Sequence, residues 1–353
     1  MSSNQKPLGV TRREFLRYAA ISTAGLAAAG SLSSILAACA APPPTSVPIQ
    51  KVKVQLNWIE NSQWGPLLAA EKEGYGKEVG VEQEFLPGGP QVDPIQAVAG
   101  GTAPLGIIGG LNQLALARAA GIPVKGFGAM WQSLPFGLIS LASKPIKTPK
   151  DTIGKKIGLQ SGARSTWALI MAANNMTEDQ MTIVPVGVDP APLVTGQVDG
   201  YWGTATGQLI ALKSQGQQVE MMFMADAGAP GYGSVFFALE KTLQEQEDLL
   251  VRWLKAAIKG GQYYLTHTDE MGEYAVKRAP TLNLKVEDEK AQARALVDFV
   301  QSPLTKSKAL YWMDPAVATN LADVMLRAGQ IKAKIDAKDL LTTTILEKAT
   351  GLK

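Results

Sequence analysis

Apolar and polar positions alternate where Val52, Val54 and Leu56 interleave with Lys53, Gln55 and Asn57. This period-two pattern predicts a strand with one buried face, with Asn57 and Trp58 at its carboxyl end. Pro66 suits the first turn of a helix, where its missing N–H would have no partner, and Gly74 suits the position just past the last turn. In open α/β sheets, ligands bind in the crevice outside the carboxyl ends of strands. The intervening turn, carrying Asn57, Trp58, Gln63 and Trp64, is therefore expected to form one wall of a ligand cleft.

Alternation likewise predicts a strand at 81–86; 105–110 and 136–142 read as buried strands, 123–131 as a further strand, and 93–100 and 112–120 as helices. Lys144-Pro-Ile-Lys-Thr-Pro-Lys150 is a shift in composition and reads as a crossover into a second lobe. There the pattern repeats, with strands at 155–159, 182–186, 198–202 and 220–224, and helices at 165–173 and 191–195. The apolar run 234–239 reads as the strand that returns to the first lobe. From Thr242 onward apolar residues recur at helical spacing, in the stripe Leu249, Leu250, Trp253, Leu254, Ala257, Ile258 and in blocks around 291–300, 316–326 and 340–346. The expected fold is α/β with two lobes and a helical C-terminal segment: 51–142 with 235–353 in lobe 1, and 143–234 in lobe 2.

The first 38 residues stand apart from this pattern. Thr11-Arg-Arg-Glu-Phe-Leu-Arg17 matches a twin-arginine export signal, and a run of small apolar residues follows to Ala38. Leu36-Ala-Ala-Cys39 resembles a bacterial lipobox, which makes Cys39 the expected lipidation site; a membrane-spanning anchor is the other reading of that run. Cys39 is the one cysteine in the chain, so no disulfide and no Cys-based metal site is available. Residues 39–50 read as a Pro-rich tether. The signal also holds the entire net charge of +3, in Lys6, Arg12, Arg13 and Arg17 against Glu14. The rest of the chain is neutral, which gives no support for nucleic-acid binding. Its expected place is the outer face of the cytoplasmic membrane, held by lipid.

Candidate chemistry lies in the strand-end loops. Five of the seven tryptophans, at 58, 64, 131, 167 and 202, fall in or just after them. Trp58, Trp64, Trp131, Tyr201, Trp202 and Tyr232 are the candidates to stack on a flat heterocycle, although each tryptophan also reads as a core cap. Asn57, Gln63, Asn112 and Gln132 offer amides that match the alternating donors and acceptors of a heterocycle edge, or that merely stabilise turns. Ser161 precedes a helix N-terminus and Arg164 lies nearby, a pair suited to an anion or a hydroxyl, or to a simple cap. No nucleophile elbow, Walker loop or dinucleotide fingerprint is present, and His267 is the one histidine. An enzyme is not expected, nor a cofactor or metal.

Leu56-Asn-Trp58, Leu67-Leu-Ala-Ala-Glu-Lys-Glu-Gly-Tyr75, Gly154-Lys-Lys-Ile-Gly158, Gln197-Val-Asp-Gly200 and Ala229-Pro-Gly-Tyr232 resemble a branch of the periplasmic-type solute-binding proteins. That branch binds sulfonates, thiamine pyrimidine precursors and related compounds, and the resemblance is strongest to its pyrimidine-precursor and riboflavin binders. It departs from the usual pattern at Gly76, where a Phe generally follows Gly-Tyr. The resemblance implies a type II Venus-flytrap fold whose lobes close over a ligand, with an ABC permease and its ATPase as partners; a monomer is the plain expectation. Riboflavin is the first ligand it implies; a formylaminopyrimidine or hydroxymethylpyrimidine comes second and an alkanesulfonate third.

Overall fold

In a computed structural model of the chain, residues 48–89, 91–229 and 231–352 are described. The export signal, Cys39 and the tether as far as Val47 lie outside the described residues. Gln50, expected at the end of the tether, instead opens the first strand.

Among the described residues, ten strands form two five-stranded sheets. The first contains β1 (Gln50–Gln55), β2 (Val81–Leu86), β3 (Leu105–Gly110), β4 (Val124–Trp131) and β10 (Gly233–Leu239), in the order β2-β1-β3-β10-β4. β1 runs parallel to β2 and β3, and β10 runs antiparallel to β3 and β4. The second contains β5 (Phe136–Leu141), β6 (Lys156–Leu159), β7 (Thr182–Pro185), β8 (Gly200–Thr204) and β9 (Val219–Phe223), in the order β7-β6-β8-β5-β9. One strand departs from expectation: β5, whose residues read as part of lobe 1, pairs antiparallel with β8 and β9. The first crossover is therefore the short segment between Trp131 and Phe136, not the Lys/Pro-rich stretch after residue 143.

Adjacent residues of a strand point to opposite faces, and the first sheet is covered on both. Ile107 and Phe236 join Val52, Val54, Leu67, Phe127, Trp253 and Leu254 on one face. Ile108, Val235 and Phe237 join a second cluster on the other, which continues into the second lobe through Leu138, Trp167 and Trp202. On the first face Phe236 meets Trp253 edge-on at 5.1 Å and Tyr311 at 5.2 Å, contacts worth about 0.5–1.5 kcal/mol each beyond area burial.

The helices that position the site are α1 (Gly65–Lys72), α2 (Leu111–Ala119), α3 (Arg164–Ala173), α4 (Gln208–Ser214), α5 (Glu247–Tyr264), α6 (Thr268–Arg278), α7 (Val286–Val300) and α8 (Pro315–Arg327). The predicted apolar stripe of α5 is buried along its whole length. α8 bridges the lobes: Leu321 and Met325 pack in the same cluster as Leu114 of α2 and Trp167 of α3. Two hydrogen bonds flank this helix. The Asp314 N–H donates to the Tyr232 hydroxyl at 2.7 Å, and Gln330 Nε2 donates to the Ser165 carbonyl at 2.7 Å. The block around 340–346 is not one helix but two, Ala337–Leu340 and Thr344–Thr350. Between them the Thr342 N–H is drawn to the Gly126 carbonyl at 2.8 Å.

Candidate ligand site between the lobes

The strand order of the first sheet sets the carboxyl ends of β1 and β3 side by side, with the crossovers at β4 and β10 next to them. Gln55 Nε2 fixes the exit of β1 by donating to the carbonyls of Leu56 and Pro87, both at 3.0 Å. Asn57 follows, half-buried, and its Oδ1 is buried with no hydrogen-bond partner. Beside it the Gly109 N–H donates to Gln113 Oε1 at 2.9 Å. Trp131, at the end of β4, is half-buried, and its Nε1 is likewise buried without a partner. An unpaired buried polar group costs about 1–3 kcal/mol, so the acceptor and the donor left open at these strand ends are free to pair with water or with a ligand. Trp58 lies on the rim, 41% exposed.

A cavity of about 220 Å³ lies between the lobes beyond the end of β3, lined by Gly109 and Gly110 but by neither Asn57 nor Trp131. It is also lined by Asn112 at the start of α2, Leu134 from the first crossover, Phe136 at the start of β5, Thr166 from α3, Tyr232 from the second crossover and Leu321 from α8. None of its lining residues is charged. Burial pushes the Tyr232 phenol up, so it stays neutral, and its oxygen already accepts the Asp314 N–H. A larger cavity, about 390 Å³, runs along edge strand β2 beside α1 and α5; first-lobe residues alone line it, several of them charged.

The other sequence candidates lie elsewhere. Trp64, expected in the cleft wall, is fully buried in the first-lobe core, and its Nε1 donates to the Ile59 carbonyl at 3.0 Å. Gln63 is half-buried in the Ser62–Trp64 turn, where its N–H bonds Asn61 Oδ1. Gln132 is spent on structure: its Nε2 donates to the Ala129 carbonyl and its Oε1 accepts from Ser302 Oγ. Tyr201 and Trp202 were expected at a strand end, but β8 continues to Thr204, so both are mid-strand on opposite, covered faces. The Tyr201 hydroxyl donates to the Gly187 carbonyl at 2.8 Å and accepts from Gln160 Nε2 at 2.9 Å, and burial pushes its phenol up. Trp202 meets Trp167 edge-on at 6.1 Å. Ser161 opens the short turn before α3, while Arg164 is exposed and paired with Glu178. His267 lies in the first lobe at the start of α6, stacked on Tyr263 at 3.9 Å. Among the described residues no cluster of three His, Cys, Asp or Glu could hold a metal ion. Nor is any helix among them long and apolar enough to cross a membrane.

Thr166 and Leu321 were not foreseen. Neither carries a local signal, because topology alone brings them to the cavity.

A family model described as NMT1/THI5 like matches residues 61–271. The riboflavin-binding protein RibY of Chloroflexus aurantiacus is 26% identical over 86% of this chain and 88% of its own length. The 4-amino-5-hydroxymethyl-2-methylpyrimidine phosphate synthase of Legionella pneumophila is 26% identical over 66% of this chain and 75% of its own length. Among solved structures, the periplasmic aliphatic sulphonate binding protein SsuA from Escherichia coli superposes with a TM-score of 0.61 at 16% identity, covering 82% of this chain and 96% of that one. The two-lobe α/β fold of the periplasmic binding proteins is thus the fold of this chain.

Proposed function

We propose that this chain, which belongs to the NMT1/THI5-like family, is the solute-binding component of an ABC importer and captures an uncharged planar heterocycle between its lobes. The observation that carries this reading is the pair of open groups, Asn57 Oδ1 as acceptor and Trp131 Nε1 as donor, at strand ends of the sheet that borders an uncharged cavity. A flavin or pyrimidine edge presents the complementary donors and acceptors. Riboflavin is the leading ligand, because similarity to a riboflavin-binding protein extends over most of both chains. A thiamine pyrimidine precursor is the second reading, favoured by the cavity: at about 220 Å³ it lies below the ~300 Å³ at which sites for drug-sized ligands begin. A sulfonate fits less well, since Arg164 is already paired and the cavity lining carries no cation.

On this reading the lobes hinge over the ligand and present it to a permease driven by its ATPase, with Cys39 as lipid anchor and a monomer as the working unit. A synthase role is not proposed, because His267 sits on the first lobe outside the cavity lining. Calorimetry of residues 48–353 with riboflavin, hydroxymethylpyrimidine and taurine tests the proposal. Saturable heat with riboflavin supports the first reading, and heat with the pyrimidine alone supports the second. Binding of taurine alone would overturn both.

A further inference from the structure

We infer that Arg278 and Glu289 are positioning residues that hold the Asn57–Trp64 turn in its ligand-ready shape. Both lie beyond residue 271, where the family match ends. Glu289 of α7 is buried, and its Oε2 accepts the N–H of fully buried Ser62 at 2.7 Å. Ser62 Oγ donates to Gln292 Oε1, one helical turn further on, at 2.8 Å. Arg278 of α6 lies between two carboxylates: Nη1 is 3.0 Å from Glu60 Oε2, an ion pair without hydrogen-bond geometry, and Nε donates to Glu71 Oε1 at 2.8 Å. Tyr274 also donates to Glu71, at 3.1 Å.

Within the turn, Asn61 accepts the Gln63 N–H and Trp64 donates to the Ile59 carbonyl. Ile59 to Trp64 are thus tied down from behind by α6, α7 and one another, while Asn57 keeps an open acceptor and Trp58 an exposed ring. A turn ordered before the ligand arrives loses less entropy on binding, and loosening it lowers apparent affinity by the fraction of molecules that remain competent.

The affinity arm of the test rests on the function proposed above, whereas the exchange arm stands alone. Hydrogen exchange on unliganded wild type, Glu289→Ala, Glu289→Gln and Arg278→Met is followed over residues 57–64, 109–113 and 164–173. Exchange over 57–64 should quicken about tenfold in Glu289→Ala and Arg278→Met, with the other two segments unchanged; this is the rate expected from about 1.4 kcal/mol of lost restraint. Glu289→Gln keeps an oxygen for the Ser62 N–H and should stay near wild type. Riboflavin affinity should fall in parallel and recover in Glu289→Gln. Unchanged exchange over 57–64 in both Glu289→Ala and Arg278→Met overturns the inference. So does a loosened turn that binds riboflavin as tightly as wild type. If wild type binds neither riboflavin nor a pyrimidine, the proposed ligand falls and exchange alone decides the positioning role. Should Glu289→Ala fail to fold, Arg278→Met, whose side chain is part-exposed, carries the same comparison.

Discussion

Asn57 and Gly109 face each other at the ends of adjacent strands: Asn57 Nδ2 lies 3.4 Å from where a Cβ on Gly109 would stand. The Oδ1 of that amide is buried without a partner. Removing an unsatisfied buried group relieves its desolvation cost, so Asn57→Ala should leave the melting temperature of the unliganded protein unchanged or slightly raised. Ligand affinity should nonetheless fall about tenfold, corresponding to one lost hydrogen bond of roughly 1.4 kcal/mol. Melting curves and titrations on one preparation check both halves. A variant that loses stability and keeps its affinity would make Asn57 a structural residue.

The two tryptophans of the same turn should separate cleanly. Trp64 is fully buried, and Trp64→Ala should cost about 3–5 kcal/mol of unfolding free energy through the cavity it leaves. Trp58 is 41% exposed, and Trp58→Ala should change stability by no more than about 0.5 kcal/mol. If Trp58 stacks on the ligand, its loss weakens binding by about 1 kcal/mol, roughly fivefold. Denaturant melts with and without ligand distinguish the two roles.

This contrast shows where the sequence was legible and where it was not. Period-two alternation located β2 at the residues observed, 81–86, and a buried apolar run into a glycine turn located β3 at 105–110, because each strand's pattern is local. Which sheet β5 joins is not local: Phe136-Gly-Leu-Ile-Ser-Leu141 reads as a buried strand in either lobe, and only its pairing with β8 and β9 places it in the second. The aromatic residues misled for a related reason. Tyr201 and Trp202 are neighbours on a strand covered on both faces, so an aromatic pair near a predicted strand end proved to be core. Asn57 was singled out as an amide just past an alternating strand, a position that serves a turn as readily as a ligand. Leu321 was not, since its helical stripe resembles any other and the contact with the cavity comes from the path of α8 across both lobes.

Gly261 should tolerate no side chain. A Cβ there would stand 2.2 Å from the Tyr311 hydroxyl and 2.8 Å from Leu310 Cδ1. Tyr311 cannot easily yield: it is fully buried at φ 71°, its hydroxyl donates to the Ala257 carbonyl at 3.0 Å, and its carbonyl accepts the Ala129 N–H at 3.0 Å. Gly261→Ala should therefore destabilise by about 1–3 kcal/mol through overpacking, even though alanine is the better helix former. A thermal melt at or above the wild-type midpoint would show that the Tyr311 loop moves aside at little cost.

Acid stability should depend in part on Glu240. Its Oε1 lies 3.0 Å from Lys125 Nζ and 2.8 Å from Arg118 Nη1, and the hydrogen bond from Lys125, followed by that from Arg118, holds its carboxyl below the ordinary glutamate value of 4.5. A carboxyl with a depressed folded-state pKa binds its proton more tightly when unfolded. Its contribution is therefore complete above the unfolded value near 4.5 and is lost as pH falls through the lower folded value. The side chain is one-third exposed, so screening limits the effect to about 1 kcal/mol, or roughly 2 °C in the melting midpoint. Glu240→Gln should melt about 2 °C below wild type at pH 7, and the gap should close between pH ~4.5 and the acid limit of folding. Glu60 works in the opposite direction, because burial outweighs the nearby Arg278 and raises its carboxyl above the usual range. Its ionisation removes stability as pH rises, so Glu60→Gln should not reproduce the gap that closes in acid. A gap for Glu240→Gln that persists undiminished to the lowest pH at which the protein folds would mean that lost packing, not the charge, accounts for the difference.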